Sequence, residues 1–107
     1  MNRDLLERVR KTLPARLNAG ILMGDGGLCI LGFMLVRAGH LPIAIYGSTL
    51  SLMDPRSGES AIDAVARAYD LPRDAVVELA RTNDSTPRAE RVAAVRRRLD
   101  ALLGETR

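Results

Sequence analysis

The chain has 107 residues, 47% of them hydrophobic, which is enough for one modest core and hence one domain over 1–107. Aromatic residues make up only 3%, so we expect an aliphatic core of packed helices rather than a β-sandwich. The single cysteine excludes an internal disulfide and a cysteine-based zinc site, and it agrees with a cytoplasmic location. We expect neither a secretory signal nor a membrane span, because the cleanest apolar run, 26–36, is too short to cross a bilayer.

The net charge of +3 is unevenly spread along the chain. Residues 1–20 carry five basic and two acidic residues, and residues 85–107 carry six basic and three acidic ones. Residues 59–84 between them carry three basic and six acidic residues. We therefore expect the basic ends to pack near the acidic segment, so that surface charges offset one another.

The first predicted helix is Asp4–Leu13, in which apolar residues recur on one side and Asn2 precedes as an N-cap. Pro14 is expected to end this helix, and residues 15–23 are predicted to form a short second one.

The glycine-rich stretch 24–27 predicts a break before the most apolar part of the chain. Leu28–Ala38 is apolar on nearly every side, which is typical of the central helix of a bundle, and Gly39 is expected to end it. Two short apolar runs follow, separated by Gly47-Ser48. This pattern indicates either a short β-hairpin over about 43–52 or an irregular connection.

The second half of the chain carries clear helix signals. Ser60 with Asp63 resembles a capping box, and Leu71-Pro72 separates this helix from another that runs to about Thr82. Residues 83–85 are predicted to form a turn, after which Thr86 and Pro87 occupy the N-cap and N1 positions of the last helix. Its predicted core stripe is Val92, Val95, Leu99 and Leu102 or Leu103. The predicted fold class is mainly α, a small bundle of four to six short helices.

Asp25, Cys29 and His40 are the weak candidates for catalytic residues. The positive end of a helix dipole would favour the thiolate of Cys29, with His40 as a base oriented by Asp25 or Asn18. The apolar neighbours of Cys29 instead favour a buried, inert thiol. If Leu28–Ala38 is helical, Cys29 and His40 lie roughly 16 Å apart, so the two cannot form a dyad within one helix.

Residues 61–82 resemble the helix-turn-helix of DNA-binding proteins in the spacing of their apolar residues. In that interpretation Arg73 and Arg81 would contact nucleic acid. Two departures weigh against it: Asp70 stands where glycine is common, and Asp74 and Glu78 make the reading helix acidic, whereas DNA affinity depends on phosphate contacts.

The arginines of the last helix are interpreted as a solvated face, with an RNA or acidic partner as the alternative; the helix lacks aromatic residues for base stacking. The stretch 24–27 lacks the Lys-Ser/Thr of a phosphate loop, and the aspartates lack calcium-loop spacing. The sequence therefore predicts no cofactor and no metal.

Two short motifs carry a family resemblance. The first is the Cys-x-x-Gly helix opening within 27–32, and the second is an Asn-Asp turn before a helix with an early Thr and a Glu-x-Val pattern: Asn83, Asp84, Thr86, Glu90 and Val92. Together, over residues 25–100, they resemble a family of small uncharacterised bacterial and phage proteins, although Arg81-Thr82 replaces an aromatic residue that such chains often carry. The resemblance implies a small, mostly helical, cytoplasmic domain without assigned activity.

The function predicted from the sequence is protein interaction, with self-association into a homodimer as its simplest form, and without catalysis or a membrane. The apolar surplus of 43–53 predicts the interface. Its candidate residues are Ile43, Ile45, Tyr46, Leu50 and Leu52. DNA binding through 61–82 is the first alternative, and a Cys29-dependent enzyme is the second.

Overall fold

The computed structural model describes residues 1–19, 23–24, 27–39 and 60–104. Five α-helices account for most of these residues, which confirms the mainly α prediction. The elements in chain order are α1 (Arg3–Lys11), β1 (Met23–Gly24), β2 (Gly27–Leu28), α2 (Ile30–Arg37), α3 (Ala61–Tyr69), α4 (Arg73–Ser85) and α5 (Arg88–Gly104).

Helix α1 has the predicted cap but is shorter than predicted. The Asn2 side chain accepts a hydrogen bond from the Leu5 amide at 3.3 Å, and the helix ends at Lys11, before Pro14. The short second helix predicted over 15–23 is wrong where the structure describes it. Residues 15–19 form no helix and Met23 belongs to a strand.

The β structure that is described lies where the sequence predicts only a break. Met23 pairs with Leu28 and Gly24 with Gly27 in an antiparallel arrangement of two residues per strand. The hairpin predicted at about 43–52 lies outside the described residues, and nothing in the described part of the chain supports it.

Helix α2 is the central element, as predicted, and it packs against α1, α3 and α4. Every residue from Ile30 to Leu35 is buried. The helix begins at Ile30 rather than Leu28, because Cys29 has an extended backbone and serves as the N-cap. Gly39 follows the helix with φ +94°, a left-handed conformation that glycine adopts without steric cost.

Helices α3 and α4 form a tight corner whose ends are determined locally. Ser60 Oγ accepts from the Asp63 amide at 3.2 Å and donates to Asp63 Oδ2 at 2.8 Å, which confirms the predicted cap. At the other end of α3, Asp70 adopts φ +50°, and the Leu71 amide donates to the Ala66 carbonyl at 2.9 Å. This is a Schellman arrangement with aspartate in the position where glycine is common.

The turn predicted at 83–85 is wrong, because α4 continues through these residues to Ser85. Helix α5 begins at Arg88, after Thr86 and Pro87. The Thr86 hydroxyl donates back to the Thr82 carbonyl at 2.6 Å, so this side chain closes α4 rather than capping α5.

The helices share one aliphatic core. Its largest fully buried side chains are Tyr69, Leu6, Ile30, Leu31, Met34, Leu79, Leu99, Val9, Val65 and Val76. The Tyr69 hydroxyl donates to the Met34 carbonyl at 2.6 Å, so the one polar atom of this aromatic side chain is satisfied inside the core. Of the helices described, none is long and apolar enough to cross a membrane.

Candidate functional site

The start of α2 contains the cysteine that the sequence singles out. Cys29 is completely buried, which confirms the predicted burial. Its Sγ accepts a hydrogen bond from the Gly32 amide at 3.4 Å, so the sulfur stands where a serine or aspartate oxygen usually caps a helix.

Burial determines the acidity of this thiol. It raises the pKa of Cys29 to about 11, against the lowering effect of the amide hydrogen bonds at the start of α2. At neutral pH the side chain is therefore a neutral thiol, and the thiolate that a nucleophile requires is on the order of one part in ten thousand. In this fold the Cys29 sulfur packs in the core and caps the N-terminus of α2.

The sequence offers two further catalytic candidates beside Cys29. Asp25 and His40 lie outside the described residues, so a triad of these side chains stays a prediction. In the part of the chain that the structure does describe, no three His, Cys, Asp or Glu side chains are grouped as a metal ion would require.

A buried amide next to Cys29 joins three parts of the chain. Asn83, on α4, is completely buried. Its Oδ1 accepts from the Ile30 amide at 3.1 Å, and its Nδ2 donates to the Asn18 carbonyl at 2.6 Å and to Asp84 Oδ1 at 2.9 Å. One amide thus satisfies a free N–H of the first turn of α2 and fixes the segment that precedes β1.

The sequence carries two conflicting signals at this junction. Asn83 follows Val76, Leu79 and Ala80 at helical spacing, so it falls on the buried stripe of α4. A polar residue on such a stripe indicates a buried hydrogen-bonding group. The Asn-Asp-Ser composition is also typical of a turn, and that interpretation is the one the structure overturns.

The two arginines of the DNA-binding alternative are exposed but engaged. Arg73 Nε lies 3.2 Å from Asp63 Oδ1, across the corner between α3 and α4. Arg81 Nη1 lies 2.9 Å from Glu78 Oε1, and the other oxygen of Glu78 lies 3.5 Å from Arg98 on α5. The exposed face of α4 thus carries acidic and basic side chains that pair with one another, rather than a surplus of positive charge.

The five candidate interface residues, Ile43, Ile45, Tyr46, Leu50 and Leu52, all lie outside the described residues.

Within the described part, a shallow groove of about 190 Å³ runs between α4 and α5. It is lined by Ala75 and Leu102 among others and by the charged Asp74, Glu78 and Arg98. A second groove lies between residues 15–16 and the start of α5, and it is lined by Arg16 and Arg88. Nothing in the sequence pattern indicates that these two arginines lie together.

The fold and the site together define a small mainly α-helical protein built around one buried central helix. Comparison with protein-family models, with curated proteins and with solved structures gives no match.

Proposed function

We propose that this chain is a protein-interaction module that associates with a second copy of itself through the segment 43–52. The observation that carries the proposal is the composition of the connection between α2 and α3: Ala38 to Met53 contains no Asp, Glu, Lys or Arg. The candidate contacts are Ile43, Ile45, Tyr46, Leu50 and Leu52.

Two properties of that segment support an interface. The centres of protein interfaces are depleted of charge and enriched in aromatic and aliphatic side chains, and Tyr46 lies among aliphatic residues here. The five helices also supply an aliphatic core from their own side chains. A further uncharged run of this length on so small a protein is typical of a surface that a partner covers.

Light scattering coupled to size exclusion tests the proposal on the full chain. We expect a mass of twice the 11.6 kDa chain at about 100 µM, with dissociation on dilution. A mass of one chain at this concentration would overturn the proposal.

Substitutions locate the interface. Ile45→Asp and Leu50→Asp, each made alone, are expected to give monomers, because an unpaired carboxylate would be buried at the contact. Ala93→Asp on the exposed face of α5 is the matched control and should leave the dimer intact. Circular dichroism checks that each variant keeps its helices.

A spin label provides a readout that does not depend on a disruptive substitution. Cys29 is buried, so Ser48→Cys introduces a second thiol for labelling inside the proposed interface segment. Dipolar coupling between the labels of two chains is expected in the dimer. Its absence at a concentration where light scattering shows a dimer would place the interface elsewhere.

One observation favours a second candidate function, DNA binding through 61–82. Asp70 adopts the left-handed conformation of the corner, so α3 and α4 have the tight connection that a helix-turn-helix needs despite the missing glycine.

Binding of nonspecific duplex DNA at low salt, weakened by Arg73→Ala, would support this candidate. Glu78→Gln is the informative companion variant, because it frees Arg81 and Arg98 and should strengthen such binding. No shift of duplex by any of these proteins would exclude it.

A further inference from the structure

Two arginines that are distant in sequence line one groove. Arg16 comes from the non-helical segment after α1, and Arg88 is the first residue of α5. With Ala15 and Ala89 they line a shallow groove of about 510 Å³, and both arginine side chains are exposed.

A third arginine holds the two walls of this groove together. Arg91 Nη1 donates to the Leu17 carbonyl at 2.8 Å, and its Nε donates to the Thr86 carbonyl at 3.2 Å. The backbone next to Arg16 is thereby tied to the backbone just before Arg88. The fold therefore sets the positions of the two backbone segments from which the exposed Arg16 and Arg88 side chains extend, so a ligand would have to order only the side chains.

The charges in the groove are not balanced by the described residues. Arg10, Arg73 and Arg81 each have a carboxylate within 3.2 Å. For Arg16 and Arg88 no such carboxylate is found among the described residues, and no acidic residue lines their groove. Two like charges on one groove repel each other, and a bound anion would remove that repulsion.

We propose that this groove binds a phosphate group, either as inorganic phosphate or as the phosphomonoester of a small molecule. Guanidinium groups bind phosphate oxygens in a bidentate, charge-assisted manner, and two of them from opposite walls suit a dianion. The groove also lies at the first turn of α5, a helix of 17 residues, where the helix dipole favours an anion; the acidic Glu90 of that turn does not line the groove. This inference is independent of self-association through 43–52.

Titration of the ¹⁵N-labelled protein with inorganic phosphate and with phosphoserine tests the proposal, at an ionic strength held constant with chloride. We expect saturable shifts at the amides of Ala15, Arg16, Arg88 and Ala89, with a dissociation constant on the order of 1 mM. Arg16→Ala and Arg88→Ala should each weaken binding about tenfold, and the double variant should abolish it.

The matched control is the double variant Arg96→Ala/Arg97→Ala, which removes the same charge from exposed residues of α5 away from the groove. It should bind phosphate as the unmodified protein does. Equal weakening by both double variants would overturn the proposal in favour of a general effect of net charge. Chemical shift changes that do not saturate would also overturn the proposal. Binding of a single-stranded oligonucleotide without binding of phosphoserine would overturn it too, and would assign the groove to nucleic acid.

Discussion

Asn83 combines complete burial with a full set of hydrogen bonds. Both N–H groups and the oxygen of its amide have partners, and in the described residues no buried side-chain nitrogen or oxygen is without one. A buried amide is tolerated in an apolar core only under this condition. The side chain therefore defines how α2, α4 and the segment before β1 fit together.

Asn83→Ala should destabilise the protein by about 2 kcal/mol or more. The substitution removes the buried acceptor of the Ile30 amide and the hydrogen bond that Asn83 donates to the Asn18 carbonyl, and the better helix propensity of alanine offsets only about 0.5 kcal/mol. Urea unfolding followed by circular dichroism measures the change. Thr82→Ala, at the neighbouring position of α4, is the control and should change stability by less than about 0.5 kcal/mol. Equal midpoints for the two variants would show that the junction does not stabilise the fold.

Cys29 makes stability depend on pH in the alkaline range. Folding raises the pKa of this thiol from 9.0 to about 11 through burial, so the folded protein keeps a proton that the unfolded chain releases. Its contribution to stability is thus fully present below pH 9 and is lost as the pH rises through about 11. The full loss is about 3 kcal/mol.

Urea midpoints of the protein and of Cys29→Ser, each at about pH 8 and about pH 10, test this dependence. The unmodified protein should lose more stability between the two pH values than the variant. Burial also raises the pKa of Tyr69, but that contribution is common to both proteins and cancels in the comparison. A parallel decline of both would show that Cys29 is not the titrating group.

At the level of the helices, Gly39 tests how strongly a local signal determines where α2 ends. Gly39→Ala should cost about 1–2 kcal/mol, because a Cβ is strained at φ +94°. Among the described residues a Cβ at this position would meet nothing within 4 Å, so the expected cost is one of backbone conformation. Gly104→Ala has the same open surroundings without the positive φ, and it should leave the thermal midpoint nearly unchanged. A matching loss in both variants would contradict the assignment to φ.

The helix ends that the sequence predicted well are those set by adjacent residues. Ser60 with Asp63 and Gly39 act within a few residues of the chain, and their chemistry is readable directly. The helix α4 was predicted too short because the deciding contacts are distant. Asn83 bonds to Asn18 and Ile30, which lie 65 and 53 residues away in the chain. Turn-forming composition prevails only where no such tertiary partner is present.

The candidate sites follow the same distinction. The burial of Cys29 was predictable from its apolar neighbours in sequence, whereas its capping role depends on where the helix begins. The groove of Arg16 and Arg88 was not predictable, because the Arg91 bonds that join its walls connect distant segments. Hydrophobic periodicity and composition carry no information on which distant segments a side chain such as Arg91 joins by hydrogen bonds.

For the molecule as a whole, the surface charges link the helices in two ways. Arg98 lies 3.5 Å from Glu78, so the basic last segment does pack on the acidic one, as expected from the charge pattern. Arg10 instead lies 2.8 Å from Asp100, which joins the two basic ends to each other. Both pairs are about half exposed to solvent, so water and salt screen them.

Adjacent residues of α5 allow core and charge to be compared directly. Leu99 is completely buried, and Leu99→Ala should cost about 2–5 kcal/mol through lost contacts and the cavity left behind. Asp100→Asn removes the carboxylate beside Arg10 and should cost far less than Leu99→Ala, because both side chains of the pair are about half exposed, and this cost should shrink further at high salt. Urea unfolding at low and high salt measures both. A larger loss for Asp100→Asn than for Leu99→Ala would mean that charge pairing, rather than the aliphatic core, holds α1 and α5 together.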